Sequence, residues 1–489
     1  MTTADYLLEA GSDGRPALVT GPTTLSYAEL RSVSGRLLAA LTRLGAGPGS
    51  RVGILGANSP FWVAAYLAIL KLGAVAVPFP NSRTPEDVQA MQAVAGCRYL
   101  CVDERLLGRF RVGFGGEVQV VTDALLRAPG PSDWPSLTID PDADAALMFT
   151  SGTTARPKAV RITGRNLRAN TDSIIAYLSL TERDRIFALL PFDYCFGTSL
   201  LHSHLRSGGT VVLGGGFLYP EVTLDWLEAT TATGLAGVPT LFQTLLRRTT
   251  FARRRLTALN KIQQAGGRLA SPLIRELVTA APGAEIFVMY GQTEATARLS
   301  YLPPALLDTR LGSIGRGIPG VTLSVLDASG APVQPGQVGE IWAEGENISP
   351  GYLDDPEATA AKFPGGRLRT GDLATVDADC FIFIHSRETD FIKTAGYRVG
   401  AQQVEDCVLE LEQVVSAAAV GIDDVTLGEA IRVYVTVRDA ATFETHAVVQ
   451  HCARRLARYM VPRDVVVLER MPVNSNGKVD KAELRRCAA

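Results

Sequence analysis

The segment Phe149-Thr150-Ser151-Gly152-Thr153-Thr154-Ala155-Arg156-Pro157-Lys158-Ala159-Val160 is the most informative part of this sequence. It extends an apolar run, Ala145 to Phe149, that is typical of a buried strand. Hydroxyl groups and backbone N–H groups can bind several phosphate oxygens at once, and a lysine ammonium offsets the phosphate charge. A solvated loop rich in serine, threonine and glycine is the ordinary alternative. The segment therefore predicts a phosphate-binding turn, which the remaining sequence has to support.

Length and charge limit the class of protein. The chain has 489 residues, too many for one ordinary core, so at least two domains are expected. Its formal net charge is −2, and without a basic excess nucleic acid is not an expected partner. Seven scattered cysteines without zinc-ribbon spacing indicate reduced thiols, most of them in the core of a cytoplasmic protein. No signal peptide is apparent, and the most apolar segment, 61–72, is shorter than the roughly 20 residues that span a bilayer, so no membrane association is expected.

Two strand–helix–strand patterns predict an α/β fold. In each, a short apolar strand is followed by a helix and a second apolar strand, which is the pattern of parallel sheets with crossover helices. We expect the two units to stack as mostly parallel sheets within one large domain. The predicted elements are 52–55, 61–72 and 74–77 for the first unit, and 186–190, 199–205 and 210–213 for the second.

The C-terminal part of the sequence has a different pattern. From Gly312 onward, short strands separated by glycine, proline and aspartate predict a small β-rich layer. After Ser386-Arg387 the pattern changes again, to a compact α+β module of typical small-domain size. We therefore predict a large domain over residues 1–386, a hinge over 387–390 and a small domain over 391–489.

Three further polar segments require an explanation. Tyr290 to Ala295 follows an apolar run, so it lies at the C-terminal end of a strand, where α/β folds bind ligands. Thr370-Gly371-Asp372 precedes another strand, and Asn474 to Val479 places Lys478 in a turn near the C-terminus. In isolation, Thr370-Gly371-Asp372 is usually only a turn and Lys478 only a solvated charge.

Taken in order, these segments resemble the motifs of the adenylate-forming superfamily, which contains acyl-CoA synthetases, luciferases and the adenylation domains of peptide synthetases. The resemblance extends from Leu25 to Leu484. The matching segments are Leu25 to Leu30, the phosphate-binding segment, Tyr290 to Ala295, Pro350-Gly351-Tyr352, Thr370-Gly371-Asp372, Ile392-Lys393, Gly396 to Val399, Tyr459 to Pro462 and Asn476 to Asp480.

The resemblance implies a two-step reaction. A carboxylate attacks the α-phosphorus of ATP, which expels pyrophosphate and leaves an acyl-adenylate, and a pantetheine thiol then takes the acyl group. Attack of one anion on another requires positive charge at the α-phosphate. By resemblance Lys478 supplies it, Glu294 binds Mg²⁺, and Thr293 donates a hydrogen bond to the α-phosphate.

The resemblance also implies which residues bind the nucleotide. Tyr290 is expected to stack on adenine, and Asp372 is expected to bind the ribose hydroxyls with help from Arg387. Gly267 and Gly291 are expected to form further parts of the wall of the nucleotide site. The expected ligands of the β- and γ-phosphates are Thr150, Ser151, Gly152, Thr153, Thr154 and Lys158.

The acid pocket is expected along Pro191 to Gly197. Amino-acid-activating relatives suggest that Asp193 binds a substrate ammonium group in a sheltered ion pair. Acyl- and aryl-CoA ligases suggest instead that Tyr194 gates the pocket, and a third interpretation is that Asp193 only caps the following helix. The expected pocket residues are Asp193, Tyr194, Gly197, Val238 and Gly266.

The acceptor thiol has two candidate sources. The motifs Tyr459 to Pro462 and Asn476 to Asp480 are more similar to the peptide-synthetase branch, which favours the phosphopantetheine of a separate acyl or peptidyl carrier protein over free CoA. The resemblance places the hinge at Thr389, where relatives carry aspartate or lysine, with Asp390 as the second candidate.

Two departures from the family pattern keep a further alternative open. Ala155 and Ala159 stand where relatives usually have glycine, and alanine would cost about 1 kcal/mol or more wherever a left-handed backbone is needed. A non-catalytic adenylate-binding homologue is therefore the remaining alternative. No zinc site is expected at His202 and His204, because alternate residues of a helix do not share a face.

Overall fold

The computed structural model describes residues 1–110, 118–126, 130–150, 157–387, 391–474 and 476–487. Within these ranges the chain forms four β-sheets, of nine, six, four and five strands. The two largest sheets belong to the N-terminal two thirds of the chain, and the two smaller ones follow in sequence. The predicted α/β architecture, with a small β-rich layer and a small α+β unit, is confirmed.

Residues 1–178 contain the six-stranded sheet. Strands β3 to β8 form it in the order β6-β5-β3-β4-β7-β8, and all pairs are parallel except β7 with β8. The elements are α1 (Thr3–Leu8), β1 (Pro16–Thr20), β2 (Thr23–Ser26), α2 (Tyr27–Arg43), β3 (Arg51–Leu55), α3 (Pro60–Leu72), β4 (Val75–Phe79), α4 (Pro85–Ala95), β5 (Tyr99–Val102), α5 (Glu104–Phe110), β6 (Gln119–Thr122), β7 (Asp144–Phe149), β8 (Ala159–Thr163) and α6 (Gly164–Leu178).

Residues 185–317 complete the nine-stranded sheet. Its order is β15-β14-β13-β12-β11-β9-β10-β1-β2, and the strands from β13 to β1 are parallel. The elements are β9 (Arg185–Ala188), α7 (Cys195–Arg206), β10 (Thr210–Leu213), α8 (Pro220–Ala229), β11 (Gly234–Gly237), α9 (Pro239–Arg248), β12 (Lys261–Gln264), α10 (Ser271–Ala280), β13 (Glu285–Tyr290), β14 (Ser300–Leu302) and β15 (Arg316–Gly317). Helix α7 begins at Cys195, earlier than the 199–205 expected, so the polar residues around Asp193 lie at its N-terminal end.

Helix α3 is apolar on every side because it lies in the core shared by the two large sheets. Every residue from Phe61 to Leu72 is buried, and one hydrophobic cluster joins the helix to Ala146 of β7 and Ile186 of β9. The helix ends at Gly73, whose left-handed backbone has φ 71°. None of the helices in the described ranges combines the length and hydrophobicity needed to cross a bilayer.

Residues 321–387 form the predicted β-rich layer. Its elements are β16 (Val321–Leu326), β17 (Gly339–Gly345), α11 (Pro356–Lys362), β18 (Leu368–Val376) and β19 (Ile382–Arg387). The four strands are antiparallel neighbours in chain order. Asp372 of β18 is paired with Arg387 of β19, so the register brings two of the predicted nucleotide-site residues together.

Residues 391–487 form a small α+β module around the five-stranded sheet. Its order is β21-β20-β23-β22, with β24 paired in parallel to β23. The elements are β20 (Phe391–Thr394), β21 (Tyr397–Gly400), α12 (Ala401–Leu409), β22 (Val414–Asp424), β23 (Gly428–Val437), α13 (Thr445–Arg455), β24 (Asp464–Val467) and α14 (Lys481–Arg486).

The small module is held against the nine-stranded sheet by Arg247 of α9. The side chain of Arg247 is 1% exposed and forms a two-point ion pair with Glu276 of α10. Its remaining N–H groups donate to three backbone carbonyls of the small module, those of Leu409, Leu411 and Val414. A buried guanidinium with all these partners ties the two parts of the chain together.

We expect Arg247→Met to loosen this docking, because three carbonyls and the Glu276 carboxylate lose their donor. The free energy that holds the small module against the large sheet should fall by an amount on the order of 2–4 kcal/mol. Small-angle scattering should show a larger radius of gyration, and limited proteolysis should cleave between the two parts more readily. Arg248→Met is the matched control, because exposed Arg248 donates only to the Val437 carbonyl. Equal behaviour of the two variants would contradict the assigned role.

Candidate active site

The candidate site lies at the carboxyl edge of the nine-stranded sheet. The parallel strands β9, β11, β12 and β13 end side by side there. Each is followed by a predicted site segment: Pro191 to Tyr194, Val238, Gly266-Gly267 and Gly291 to Glu294. The sheet therefore gathers residues that are far apart in sequence, as the strand-end argument predicted.

The turn that carries Lys478 docks onto this edge from the small module. Thr240 Oγ1 donates to the carbonyl of Gly477 at 2.6 Å, and the Lys478 N–H donates to Asn474 Oδ1 at 3.1 Å within the turn. The Lys478 ammonium lies 5.7 Å from the centroid of the Tyr194 ring. Lys478 is thus brought against the predicted acid pocket.

Gly266 lies beside this lysine. Its φ is 82°, in the left-handed region, and an added Cβ would lie 2.8 Å from Val238 Cγ1, 3.0 Å from Tyr194 Oη and 3.6 Å from Lys478 Cε. The same turn is held by Gln264, whose amide donates to the Gly267 carbonyl at 2.7 Å. An added Cβ at 266 would push against Val238 and Tyr194, whereas its distance to Lys478 would be an ordinary van der Waals contact.

The carboxylate of Asp372 is held by two residues of the motif after β13. Tyr290 Oη donates to Asp372 Oδ2 at 2.5 Å, and Gln292 Nε2 donates to the same oxygen at 2.7 Å and to the Thr370 carbonyl at 3.0 Å. Gly291 between them is required because a Cβ would lie 1.8 Å from the Ala297 carbonyl. No role was expected for Gln292, and its place between Gly291 and Thr293 was the only signal in the sequence.

Glu294 is linked to Lys158 through Tyr352. The Tyr352 hydroxyl donates to Glu294 Oε1 at 2.8 Å, and the Lys158 ammonium lies 5.2 Å from the Tyr352 ring centroid and 3.9 Å from Asp355 Oδ2. Burial, reinforced by the Glu294 carboxylate, raises the pKa of Tyr352, so this hydroxyl remains a donor. A carboxylate oriented by a hydrogen bond suits Mg²⁺, which prefers oxygen ligands.

The phosphate-binding segment closes between β7 and β8. The Thr150 N–H donates to the Lys158 carbonyl at 3.2 Å. Ser151, Gly152, Thr153 and Thr154 lie outside the described residues, as do Ala155 and the hinge candidates Thr389 and Asp390. Ala159 is paired with Phe149 in extended strand β8, so alanine there has no left-handed backbone to strain. The backbone strain that alanine would cause in a left-handed conformation is therefore absent at position 159.

The turn before α7 is rigid. Asn58 accepts from the Phe192 N–H at 2.9 Å and donates to the Leu190 carbonyl at 2.8 Å, while Thr198 Oγ1 donates to the Phe192 carbonyl at 2.7 Å. A Cβ at Gly197 would lie 2.0 Å from the Pro191 carbonyl, so only glycine lets the helix approach. These contacts hold Asp193 and Tyr194 in one geometry.

Asp193 carries a buried carboxyl oxygen without a partner. Its Oδ1 has no hydrogen-bond partner within the ranges that the structure describes, although the residue as a whole is only partly enclosed. Burial raises the pKa of Asp193 to about 7. Tyr194, not Asp193, is the N-cap of α7, and no side-chain hydrogen bond caps this helix. Helix capping therefore does not account for Asp193.

A small cavity lies along α7 and is lined in part by Cys195, Ser199, His202 and Thr296. Cys195 Sγ is 3.5 Å from Thr293 Oγ1, and burial raises the pKa of the Cys195 thiol. His202 is bonded to Tyr66 Oη at 2.9 Å, and burial lowers its pKa to about 3, so it stays neutral.

We expect Asp193→Asn to change how stability depends on pH. A carboxyl whose folded pKa is about 7 keeps its proton where the unfolded chain, with a pKa of 3.8, has lost it. Stability should then fall as pH rises from about 4 to 7, by up to roughly 4 kcal/mol. Asp193→Asn should match the native protein near pH 4 and be more stable at pH 8.

Thermal unfolding followed from pH 4 to 8 measures this difference. Asp142→Asn is the control. The Arg165 guanidinium holds the pKa of exposed Asp142 below its usual value, so the contribution of Asp142 to stability changes with pH in the opposite direction. Parallel curves for Asp193→Asn and the native protein would contradict the assignment.

Comparison with known proteins agrees with this geometry. The model of the family described as AMP-binding enzyme matches residues 9–353, and the model of the AMP-binding enzyme C-terminal domain matches residues 403–478. The chain is 29% identical to a feruloyl-CoA synthase from Amycolatopsis sp, over 95% of this chain and 94% of that protein. It is 31% identical to novobiocin biosynthesis protein H from Streptomyces niveus, over 96% of this chain and 79% of that protein.

Solved structures show the same architecture. The o-succinylbenzoate CoA synthetase of Bacillus subtilis, in complex with its acyl-adenylate intermediate, superposes with a TM-score of 0.87 at 27% identity and covers 98% of each chain. An anthranilate CoA ligase in complex with anthranoyl-AMP superposes with a TM-score of 0.93 at 24% identity, over 100% of this chain and 97% of that one. With two family models that match most of its length, the chain belongs to the AMP-binding enzymes, the adenylate-forming acid–thiol ligases.

Proposed function

We propose that this protein activates a small carboxylic acid with ATP and transfers the acyl group to the thiol of free CoA. The observation that carries the proposal is the docking of Lys478 against Tyr194 and Gly266. Cys195, which follows Tyr194 in the chain, has its Sγ 3.5 Å from Thr293 Oγ1, and Glu294 is the next residue after Thr293. These contacts support a common site for the lysine, the hydroxyl donor and the carboxylate that we assign to the metal.

In the adenylation step, these residues act on the α-phosphate. The Lys478 ammonium offsets the charge that builds up when the substrate carboxylate approaches the phosphate, and Thr293 donates to a phosphate oxygen. Glu294 would hold Mg²⁺, which neutralises phosphate charge when bound. Tyr352 orients the Glu294 carboxylate for that task.

The remaining predicted residues bind the nucleotide. Asp372 has one oxygen held by Tyr290 and Gln292, which orients the carboxylate toward the ribose hydroxyls, with Arg387 opposite it on β19. Lys158 and Thr150 bracket the phosphate-binding segment, so we assign the β- and γ-phosphates to residues 150–154 and Lys158. Tyr290 is assigned to adenine.

We propose that the small module turns about residues 387–390 between the two steps. Rotation would withdraw Lys478 and break the hydrogen bond between Thr240 and Gly477, together with those of Arg247 to the small module. Removal of the lysine turn from the edge of the acid pocket would give the thiol a route to the acyl carbon.

The relatives favour free CoA as acceptor over the carrier protein that the C-terminal motifs suggested. Feruloyl-CoA synthase, an indoleacetate–CoA ligase from Aromatoleum aromaticum and the anthranilate CoA ligase are named as users of CoA. The carrier protein therefore becomes the alternative. For the acid, the unpartnered Oδ1 of Asp193 supports a hydrogen-bond donor on the substrate, and a gating role of Tyr194 is compatible with it.

The decisive experiment is a panel of carboxylic acids assayed for acid-dependent pyrophosphate release, with hydroxamate trapping of the adenylate. CoA and a phosphopantetheinylated carrier protein are then offered as acceptors, and we expect the CoA thioester to form. Lys478→Ala should slow adenylate formation about 100-fold to 1000-fold, while transfer from supplied acyl-adenylate to CoA persists.

Lys481→Ala is the matched control, because Lys481 lies on the same module but pairs with Glu405 at 2.8 Å. Bound ATP without acid-dependent pyrophosphate release would instead support the non-catalytic alternative. A thioester on the carrier protein only would overturn the choice of CoA.

We expect Tyr352→Phe to raise the Mg²⁺ concentration needed for half-maximal adenylation by about 10-fold to 100-fold. In this variant the carboxylate of Glu294 loses the hydroxyl that orients it. Loss of a residue that hydrogen-bonds to a metal ligand typically weakens metal binding about 10-fold to 100-fold. A Mg²⁺ titration of pyrophosphate release measures the shift. Tyr219→Phe, at a 70% exposed tyrosine, serves as control. An unchanged Mg²⁺ requirement would show that Glu294 does not bind the metal.

A further inference from the structure

Thr296 has a strained backbone two residues after Glu294. Its φ is 66° and its ψ is −49°, and the Ala297 N–H donates to the Ala295 carbonyl at 2.7 Å. This hydrogen bond closes a γ-turn with a positive φ at its centre, a turn that is rare and strained. A β-branched residue fits this backbone poorly and keeps it only where surrounding contacts impose it.

The contacts that impose this conformation come from Asn347, which follows β17 and is 1% exposed. Thr296 Oγ1 donates to the Asn347 carbonyl at 2.8 Å. The Asn347 side-chain amide donates to the carbonyl of Ala295 at 3.3 Å and to that of Arg298 at 2.8 Å. One asparagine therefore binds the strained residue and the chain on both sides of it.

The strained turn is joined directly to the residues proposed for the adenylation step. The Thr296 N–H donates to the Thr293 carbonyl at 3.0 Å, which closes the single helical turn that carries Thr293 and Glu294. Ser349, two residues after Asn347, donates its N–H to the Glu294 carbonyl at 2.9 Å. The segment from Asn347 to Ser349 thus fixes the backbone at Glu294 as well as around Thr296.

We infer that Asn347 is a positioning residue for Thr293 and Glu294, because it holds Thr296 in a backbone conformation that threonine alone would leave. This inference rests on the proposed function, which assigns the α-phosphate to Thr293 and Mg²⁺ to Glu294. Without the Asn347 amide, Thr296 would relax to a negative φ and displace its hydrogen bond to Thr293. The hydroxyl and the carboxylate would then lose their present positions.

Substitution by glycine distinguishes this role from a merely structural one. Asn347→Ala should slow adenylate formation by about 10-fold to 100-fold, the effect of a small misplacement of catalytic groups, while transfer from supplied acyl-adenylate to CoA persists. Glycine adopts a positive φ without strain. Thr296→Gly should therefore stay within a few-fold of native, and Asn347→Ala/Thr296→Gly should recover most of the adenylation rate that Asn347→Ala loses.

Two controls match these changes. Thr231 is an exposed threonine with a φ of 49°, so Asn347→Ala/Thr231→Gly relieves a positive-φ threonine elsewhere and should recover nothing. Asn260→Ala removes an exposed asparagine ahead of β12 and should leave adenylation unchanged. If Asn347→Ala does not fold, Asn347→Asp replaces it, since aspartate keeps the shape of the side chain but lacks the amide donors.

Crystal structures of the variants give a readout that does not depend on turnover. In Asn347→Ala we expect Thr296 to have a negative φ, without the hydrogen bond between Ala297 and Ala295. In Asn347→Ala/Thr296→Gly we expect the turn to be retained.

The outcomes separate this inference from the proposed function. A native adenylation rate in Asn347→Ala, a loss that Thr296→Gly does not recover, or equal recovery by Thr231→Gly would overturn the role of Asn347. So would an Asn347→Ala structure in which Thr296 keeps its strained turn. If the native protein turns over no acid, the proposed function fails, and the crystal structures alone decide whether Asn347 holds the turn.

Discussion

The hydrogen bond from Thr240 to the carbonyl of Gly477 joins the turn of Lys478 to the large domain, and the proposed catalytic geometry depends on it. The donor is on α9, which follows β11 of the nine-stranded sheet, and the acceptor belongs to the small module. The hydrogen bond therefore exists only when the small module is docked on the large domain. The adjacent Lys478 then lies beside Gly266, where an added Cβ would be 3.6 Å from Lys478 Cε. The placement of the lysine charge is thus a property of the docking equilibrium, which the Arg247 contacts reinforce.

Buried charges in this chain fall into two groups. Those that hold the fold have close partners: Lys71 is bound to Asp5 at 2.6 Å, and Lys261 is bound to Asp184 at 2.9 Å. Asp193 and Arg298 have buried polar atoms without a hydrogen-bond partner in the part of the chain that the structure describes. Burial raises the pKa of Asp193 to about 7, so below that pH its carboxyl keeps its proton and carries no unpaired charge, whereas the Arg298 guanidinium stays charged.

The choice of acceptor shows a limit of motif comparison. The residues that the motifs identify, such as Lys478, Glu294 and Asp372, are those proposed for the ATP-dependent step. Enzymes that use CoA and enzymes that use carrier proteins share that step, so similarity in Tyr459 to Pro462 and Asn476 to Asp480 does not discriminate between acceptors. The preference for CoA proposed above rests instead on relatives that match over nearly the whole chain and are named for their use of CoA.

The sequence by itself determined the fold class, because hydrophobic periodicity is a local property. The segment 61–72, apolar except for Lys71, and the short strands from Val321 onward were predictable for that reason. The ordered motifs likewise indicated which residues meet at the ATP site. Tertiary structure decided how side chains from distant segments are paired. It placed Ala159 in an extended strand, removed helix capping as a role for Asp193 and gave Gln292 a function. Arg298 is an ordinary residue in the sequence, and only the tertiary structure shows that it is buried with its guanidinium over the Phe196 ring.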